Sequence, residues 1–330
     1  MNILKLENSL DLARASGVSW GDFVKIVKYP NSNYNVFNMK KKRGGTRIIS
    51  VPKENLDKIQ QVIYERILSK VKIHSSAFGF VKGKSILDNA KFHMNSEIVL
   101  SIDLKDFYPS INKARLYYLF MNLCGYSKEV SDTLVRLVSV KKGIPQGART
   151  SPAISNIVTY RLDTILFEFS KKYNIKYTRY ADDLTFSGKK ENLKNDFYYK
   201  VKWIVEKQGF EINSKKTYFS KVKTGAMITG LRVYNDRVIV PRKYVNRVDT
   251  ELHYLEKYGI KNVKKRQNIY NRNYLGHLAG KIGFINYIEP QKGLELLERF
   301  EKISEANLTF YDRKNKTIHD LLYAIIDNDE

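Results

Sequence analysis

"TRYADDLTFSG", Thr178 to Gly188, sets two carboxylates, Asp182 and Asp183, side by side between runs of Tyr, Thr, Leu and Phe. Adjacent acids repel one another, and strand-forming segments are poor in Asp. The flanking runs read as two strands that meet at Ala181–Asp183, which puts the acids at the apex of a hairpin. A lone Asp-Asp is ordinarily a solvated turn, so its meaning depends on what else the chain carries.

A third acid stands in "EIVLSIDLKDFYPSI", residues 97–111. Ile98, Leu100, Ile102 and Leu104 alternate with Val99, Ser101 and Asp103, the period of a strand with Asp103 on the face opposite the isoleucines. Pro109 is expected to end it. Carboxylates presented by rigid elements suit the chemistry of joining nucleotides. Two divalent ions ~3.5–4 Å apart activate the attacking hydroxyl and steady the leaving oxygen. Mg²⁺ fits, since it takes oxygen ligands and needs only one or two protein carboxylates beside substrate phosphates.

Composition agrees. The 330 residues carry 58 Lys and Arg against 34 Asp and Glu, a formal net charge of +24. Such an excess draws in a polyanion over long range. With 12% aromatic residues to stack on bases, nucleic acid is the expected partner. No basic amphipathic anchor points to a membrane, and no apolar run approaches the roughly 20 residues of a spanning helix. Cys124 is the single cysteine, which excludes an internal disulfide and argues against structural zinc. No signal-peptide core opens the sequence, so a cytoplasmic chain is expected.

Along the chain, residues 1–28 read as helical, and "NYNVFNMKKKRGGTRIISVPK" as a hairpin turning at Gly44–Gly45. Pro52 starts a helix to about Lys72 with Leu56, Ile59, Ile63 and Ile67 on one face. Helices are expected at 112–123 and 128–139, a long one from Pro152 to Lys172, and another at 191–208. Strands "GAMITGLRVY" and "RVIVP" follow. Beyond Pro241 the pattern is helical and basic, with ten Lys/Arg against three Asp/Glu up to Asn286.

In this order the motifs resemble those of reverse transcriptases. "SIDLKDFYPS" is similar to the first catalytic motif, with Asp103 as metal ligand and Tyr108 as the aromatic under the incoming sugar, Phe107 being its core neighbour. "GIPQGARTSP" resembles the loop that supports the templating base and the nucleotide through Gln146 and Gly147. A glycine there lets backbone approach a base pair closely. "YADD", Tyr180 to Asp183, resembles the metal-binding hairpin. "GFEINSKKT" is similar to the motif that brings a lysine, Lys215 or Lys216, near the leaving pyrophosphate. "TGLRV" resembles the primer grip, and "KKRGGTRIISVPK" the fingers hairpin, in which Arg47 meets the triphosphate.

Two segments narrow the resemblance to retron reverse transcriptases. "SILDNAKFH" carries Asn89-Ala90-x-x-His93, similar to the Asn-Ala-x-x-His element of that family. Ile228-Thr229-Gly230 stands where the family has Val-Thr-Gly. The resemblance implies an α+β right-hand polymerase. Residues 1–97 form an N-terminal helix and fingers, and 98–240 a palm (an antiparallel sheet with helices) with fingers helices inserted at about 112–140. Residues 241–330 form a small α-helical thumb and tail. About 90 residues follow Val240, which suits such a thumb better than a maturase or endonuclease domain.

The same resemblance implies two Mg²⁺ ions on Asp103, Asp182 and Asp183, deoxynucleoside triphosphates as substrates, and a structured noncoding RNA serving as template and primer. Synthesis begins at a guanosine 2′-OH and yields branched RNA-linked DNA, in anti-phage defence, with an effector protein of the same locus as a further partner. RNA contacts are expected from Asn89, His93, Thr229, Gly230, Arg242, Lys243, Lys264, Lys265 and Arg266, with Tyr244, Tyr254 and Tyr274 available for stacking. Other short bacterial defence reverse transcriptases of the abortive-infection type, and a non-catalytic RNA-binding scaffold, are the alternatives. The apolar run Leu321–Ile326 is expected to dock as a last helix, contact with a partner being the alternative.

Overall fold

Each of the first two helices starts on a polar cap. An Asn8–Asp11 capping box opens α1 (Ser9–Ser16), and the Ser19 hydroxyl opens α2 (Trp20–Lys28). The computed structural model describes residues 3–40, 44–266 and 274–307, apart from the side chains of 264, 266 and 304–307. The run Leu321–Ile326 therefore lies outside the described residues.

The fingers-like hairpin forms as β1 (Tyr34–Lys40) and β2 (Thr46–Pro52), in a register that sets Met39 opposite Arg47. Helix α3 (Glu54–Arg66) ends six residues short of the expected Lys72, and a single 3₁₀ turn at Leu68–Lys70 follows. Its apolar face is as expected: Leu56, Ile59, Ile63 and Ile67 have no exposed surface. Each such burial stabilises by about 1.5–3 kcal/mol. A short α4 (Ile86–Phe92), boxed by Ser85 and Asp88, leads into β3 (Ile98–Lys105).

The strand ends because Asp106 turns left-handed (φ 45°), ahead of Pro109. Pro109 itself lies inside the one-turn helix α5 (Phe107–Ser110). Next come α6 (Lys113–Tyr117), extended by a wider π-type turn to Leu123, and α7 (Lys128–Val138). The expected long helix after Pro152 is two: α8 (Ser151–Val158) and α9 (Tyr160–Lys172). They part at Thr159, whose hydroxyl bonds back to the carbonyls of Ser155 and Asn156.

Then β4 (Lys176–Tyr180) and β5 (Asp183–Gly188) make the expected hairpin, followed by α10 (Asn195–Lys207), β6 (Glu211–Ile212) and β7 (Tyr218–Lys221). These strands form one antiparallel sheet around β3. On one side β3 pairs with β5, which pairs with β4; on the other it pairs with β7 and then β6. As the central strand, β3 is buried along most of its length.

Contacts divide the chain into two compact units, one ending at Lys221 and one starting at Val222. The second unit opens with a three-stranded antiparallel sheet of β8 (Ala226–Ile228), β9 (Leu231–Val233) and β10 (Val238–Ile239). Helices α11 (Arg242–Arg266), α12 (Tyr274–Ile288) and α13 (Pro290–Asn307) follow. Leu252, Leu278, Ile282, Ile285 and Leu296 are fully buried there. Gly259, with φ 69°, kinks α11.

His93, at the end of α4, is wholly buried, and its ring lies 2.7 Å from both the Ser187 and the Thr178 hydroxyls. It thus fastens β4 to β5. Burial first, and then the Lys176 charge, hold its imidazole down to about 3. An unfolded histidine accepts a proton near 6.5, so the unfolded state binds more protons below that pH and stability falls as pH falls. Between pH 7 and pH 5 this residue is expected to remove about 2 kcal/mol. Urea unfolding at the two pH values measures the loss, which a folded His93→Gln variant is expected not to show.

Candidate active site

The sheet register brings the acids together. Asp103 on β3 stands directly opposite Asp183 on β5, and Asp182 occupies the apex between β4 and β5. The Leu104 N–H donates to the Asp182 carbonyl (2.8 Å), and the Asn213 N–H to the Asp103 carbonyl (2.8 Å). Asp103 is nearly buried, at 7% exposure, while Asp183 reaches solvent.

Like charges opposite one another on paired strands are destabilising. Although Asp183 is exposed at its edge, the packing crowded round its carboxyl, and then the Asp182 and Asp103 charges, push it up to about 7. Asp182 is raised as well, by burial first and by Asp103. Lys216 supplies one cation, its Nζ donating to Asp103 Oδ2 at 2.7 Å while Asn213 Nδ2 donates to Oδ1 at 3.1 Å. That hydrogen bond, and the three acids together, raise the lysine against the cost of its burial.

The flanks are set by backbone contacts. Tyr108 is half-buried, and burial followed by the Asp182 charge pushes its phenol up to about 12. Phe107 is buried against Phe210, so Tyr108 is the ring on the carboxylate side. The loop after α7 lies against it: Ile144 N–H donates to the Tyr108 carbonyl at 3.3 Å. Ser50 N–H of β2 donates to the Gln146 carbonyl (2.7 Å), which ties the fingers-like hairpin to that loop. Arg47, exposed on β2, is close enough to lower both the Asp182 carboxyl and the Tyr108 phenol.

Comparisons with known proteins agree with this geometry. A family profile described as "Reverse transcriptase (RNA-dependent DNA polymerase)" matches residues 39–277. The chain is 30% identical to the Retron Mx162 reverse transcriptase of Myxococcus xanthus, over 92% of its own length and 68% of that protein. It is 32% identical to the Retron Ec83 reverse transcriptase of Escherichia coli, over 89% and 94%. The chain belongs to the retron reverse transcriptases. It is an RNA-directed DNA polymerase by family. A solved telomerase from Candida tropicalis, in complex with a TWJ fragment of telomeric RNA, shares the fold at TM-score 0.50 and 14% identity, over 94% of this chain and 61% of that one.

Of the residues expected at this reverse transcriptase's site, Asp103, Asp182, Asp183, Tyr108, Arg47 and Lys216 converge. Lys216, not Lys215, is the lysine paired with Asp103. Gly147 has φ 106°, and a Cβ there would meet Ile49 Cγ2 at 3.0 Å and the Ser50 carbonyl at 3.2 Å. Within the chain, the missing Cβ at Gly147 lets strand β2 approach closely.

Asn89 and His93, expected to touch RNA, are both fully buried and present no surface to a partner. Of the stacking tyrosines, Tyr274 is buried, Tyr244 packs edge-on against Phe284, and Tyr254 is 41% exposed. Thr229 and Gly230 form the β8–β9 turn, both with positive φ. Arg242, Lys243 and Lys265 are exposed, while the side chains of Lys264 and Arg266 lie outside the described ones. Sequence reasoning passed over Asn213 and Arg179, although both stand in quoted motifs. An arginine in a strand of otherwise buried residues was the available signal for the second.

Among the described residues no three His, Cys, Asp or Glu side chains form a ready-made metal cage. The donor set is an open cluster of carboxylates, raised by one another and short of positive charge. That fits cations completed by substrate phosphates and water, in the manner of Mg²⁺.

Gly143 has φ 87°, and a Cβ there would lie 2.5 Å from the Pro109 carbonyl oxygen and 2.7 Å from that of Tyr108. Gly143→Ala must displace backbone under Tyr108. The expected loss is about 1–3 kcal/mol of stability, with reduced deoxynucleotide incorporation. Gly125→Ala is the control, since Gly125 has φ 76° but open space around it. Equal effects of the two on incorporation would show that backbone strain alone is responsible.

Proposed function

We propose that this retron enzyme copies a cognate structured RNA into DNA, starting from a guanosine 2′-OH of that RNA and giving branched RNA-linked single-stranded DNA. The observation that carries the catalytic half of the reading is the register that sets Asp103 against Asp183 and beside Asp182, with Lys216 on Asp103. Retron relatives at 30–32% identity support the other half.

Asp103 and Asp182, with Asp183 alongside, would hold two Mg²⁺ ions, which supply hydroxyl activation and charge neutralisation in phosphoryl transfer when bound. The remaining work belongs to the chain. Arg47 forks onto the triphosphate from β2. Tyr108 lies under the incoming sugar, where a wide ring excludes a ribose 2′-OH. Gln146 and Gly147 back the templating base. Lys216 stands where positive charge meets the leaving pyrophosphate.

Residues 1–97 with the helices at 112–140 act as fingers, 98–240 as palm, and 241–330 as thumb and C-terminal tail. Exposed Arg242, Lys243 and Lys265, with Tyr254, offer cation and ring contacts to folded RNA. The Thr229–Gly230 turn acts in the primer grip. Work in the cytoplasm fits a chain in which no described helix is long and apolar enough to cross a membrane. By kinship with retrons, the role is anti-phage defence together with an effector protein of the same locus.

Asp103→Asn and Asp182→Asn are each expected to cut incorporation on an RNA template by about 10³-fold. Affinity for the cognate RNA should stay within about threefold, because the basic surface is untouched. Parallel extension and RNA-binding assays check this, and a folded variant losing both together would contradict the assignment. For the product, nucleic acid from cells expressing the protein with its flanking locus is expected to contain RNA-linked single-stranded DNA sensitive to debranching enzyme. Unbranched or protein-linked DNA alone would exclude 2′-OH priming.

A further inference from the structure

Arg179 precedes Asp182, at the hairpin apex, by three residues and has no exposed surface. Its guanidinium clamps the equally buried Asp163 of α9 bidentately through one edge, Nε to Oδ1 at 2.8 Å and Nη2 to Oδ2 at 2.7 Å. Tyr177 Oη donates to the same carboxylate (2.8 Å). The remaining nitrogen, Nη1, donates to Asn156 Oδ1 of α8 at 3.1 Å and to the Ala181 carbonyl at 3.2 Å. Asn156 in turn donates to the Gly79 carbonyl at 2.9 Å. The backbone of Arg179 is also held, its N–H by the Ser76 carbonyl (2.7 Å) and its carbonyl by the Phe78 N–H (2.8 Å).

A buried ion pair is a poor device for stability alone. Hydrophobic residues of similar size often do as well, because two charges must be stripped of water. What they do not supply is a fixed donor. Here the donor meets the Ala181 oxygen, and Ala181 holds a positive φ of 54° that a non-glycine residue adopts only under constraint. The peptide is planar, so fixing the oxygen of residue 181 fixes the plane that carries the Cα of Asp182.

We propose that Arg179, oriented by Asp163, is a positioning residue that sets the peptide plane between Ala181 and Asp182 and so aims the Asp182 carboxylate at the reacting centre. This rests on the polymerase reading of the carboxylates. Asp163 of α9 and Asn156 of α8 hold the guanidinium, Arg179 of β4 alone of the three reaches the Ala181 oxygen, and all three residues are buried.

The test compares wild type with the double variant Arg179→Met/Asp163→Leu, which removes both charges and leaves neither one buried alone. Arg179→Lys is the second variant; it keeps a cation beside Asp163 and lacks the fork that reaches Ala181. Three measurements are made on each: thermal unfolding, primer extension with kcat and KM for a deoxynucleotide separated, and Mn²⁺ binding followed by water-proton relaxation without substrate. Expected, in whichever variant folds, is kcat lowered by about 10²-fold with KM nearly unchanged, and weakened Mn²⁺ binding. A folded variant with wild-type kcat, or with wild-type Mn²⁺ affinity, overturns the proposal. Absence of extension by the wild type would instead refute the polymerase reading, and Mn²⁺ affinity alone would then decide whether Arg179 aims Asp182.

Discussion

Three carboxylates crowd one end of a buried antiparallel sheet, and mutual repulsion is the constraint around which the surrounding structure is arranged. Asp103 and Asp183 face each other across a strand pair, with Asp182 one residue away. Folding alone gains nothing from this, since like charges in register oppose strand pairing and burial makes them costlier. Within the chain, Lys216 and Asn213 bond Asp103, and Lys216 and Arg47 lower Asp182, which offsets only part of the charge. The rest is left to whatever cation the site receives.

Such an arrangement must be held by something other than the acids. The hairpin β4–β5 is fastened behind its apex by His93, which bridges Thr178 on one strand and Ser187 on the other. It is fixed near its apex by the Arg179–Asp163 pair, and Leu104 N–H holds the Asp182 carbonyl from β3. These polar ties are buried, where hydrogen bonds are directional and leaving one unmade is expensive. The hydrophobic core, continuous from Leu6 through Phe210, gives the sheet its stability but no particular aim for a carboxylate.

The central strand and the hairpin beside it could be read directly, because "IVLSIDL" and "KYTRY…DLTFSG" carry the strand period. The break at Thr159 and the early end of α3 at Ile67 could not, since local back-bonding and a non-helical cap residue leave weak marks in composition. Asn89 and His93 show the sharper limit. A polar pair between two motifs suggests a surface, and only the packing of α4 against the sheet reveals that both are inside.

Charge, motif order and the resemblance to reverse transcriptases that the motifs carry were enough to name the carboxylates, the lysine pair and the basic helices. Those features depend on residue type and short spacing. Tertiary structure decided which lysine reaches Asp103, which aromatic of Phe107 and Tyr108 turns to the site, and that Arg179 is an internal clamp. Each of those outcomes depends on partners far away in sequence, Asp163 on α9 or Phe210 beyond α10, brought close only when the sheet and its helices close over a common core.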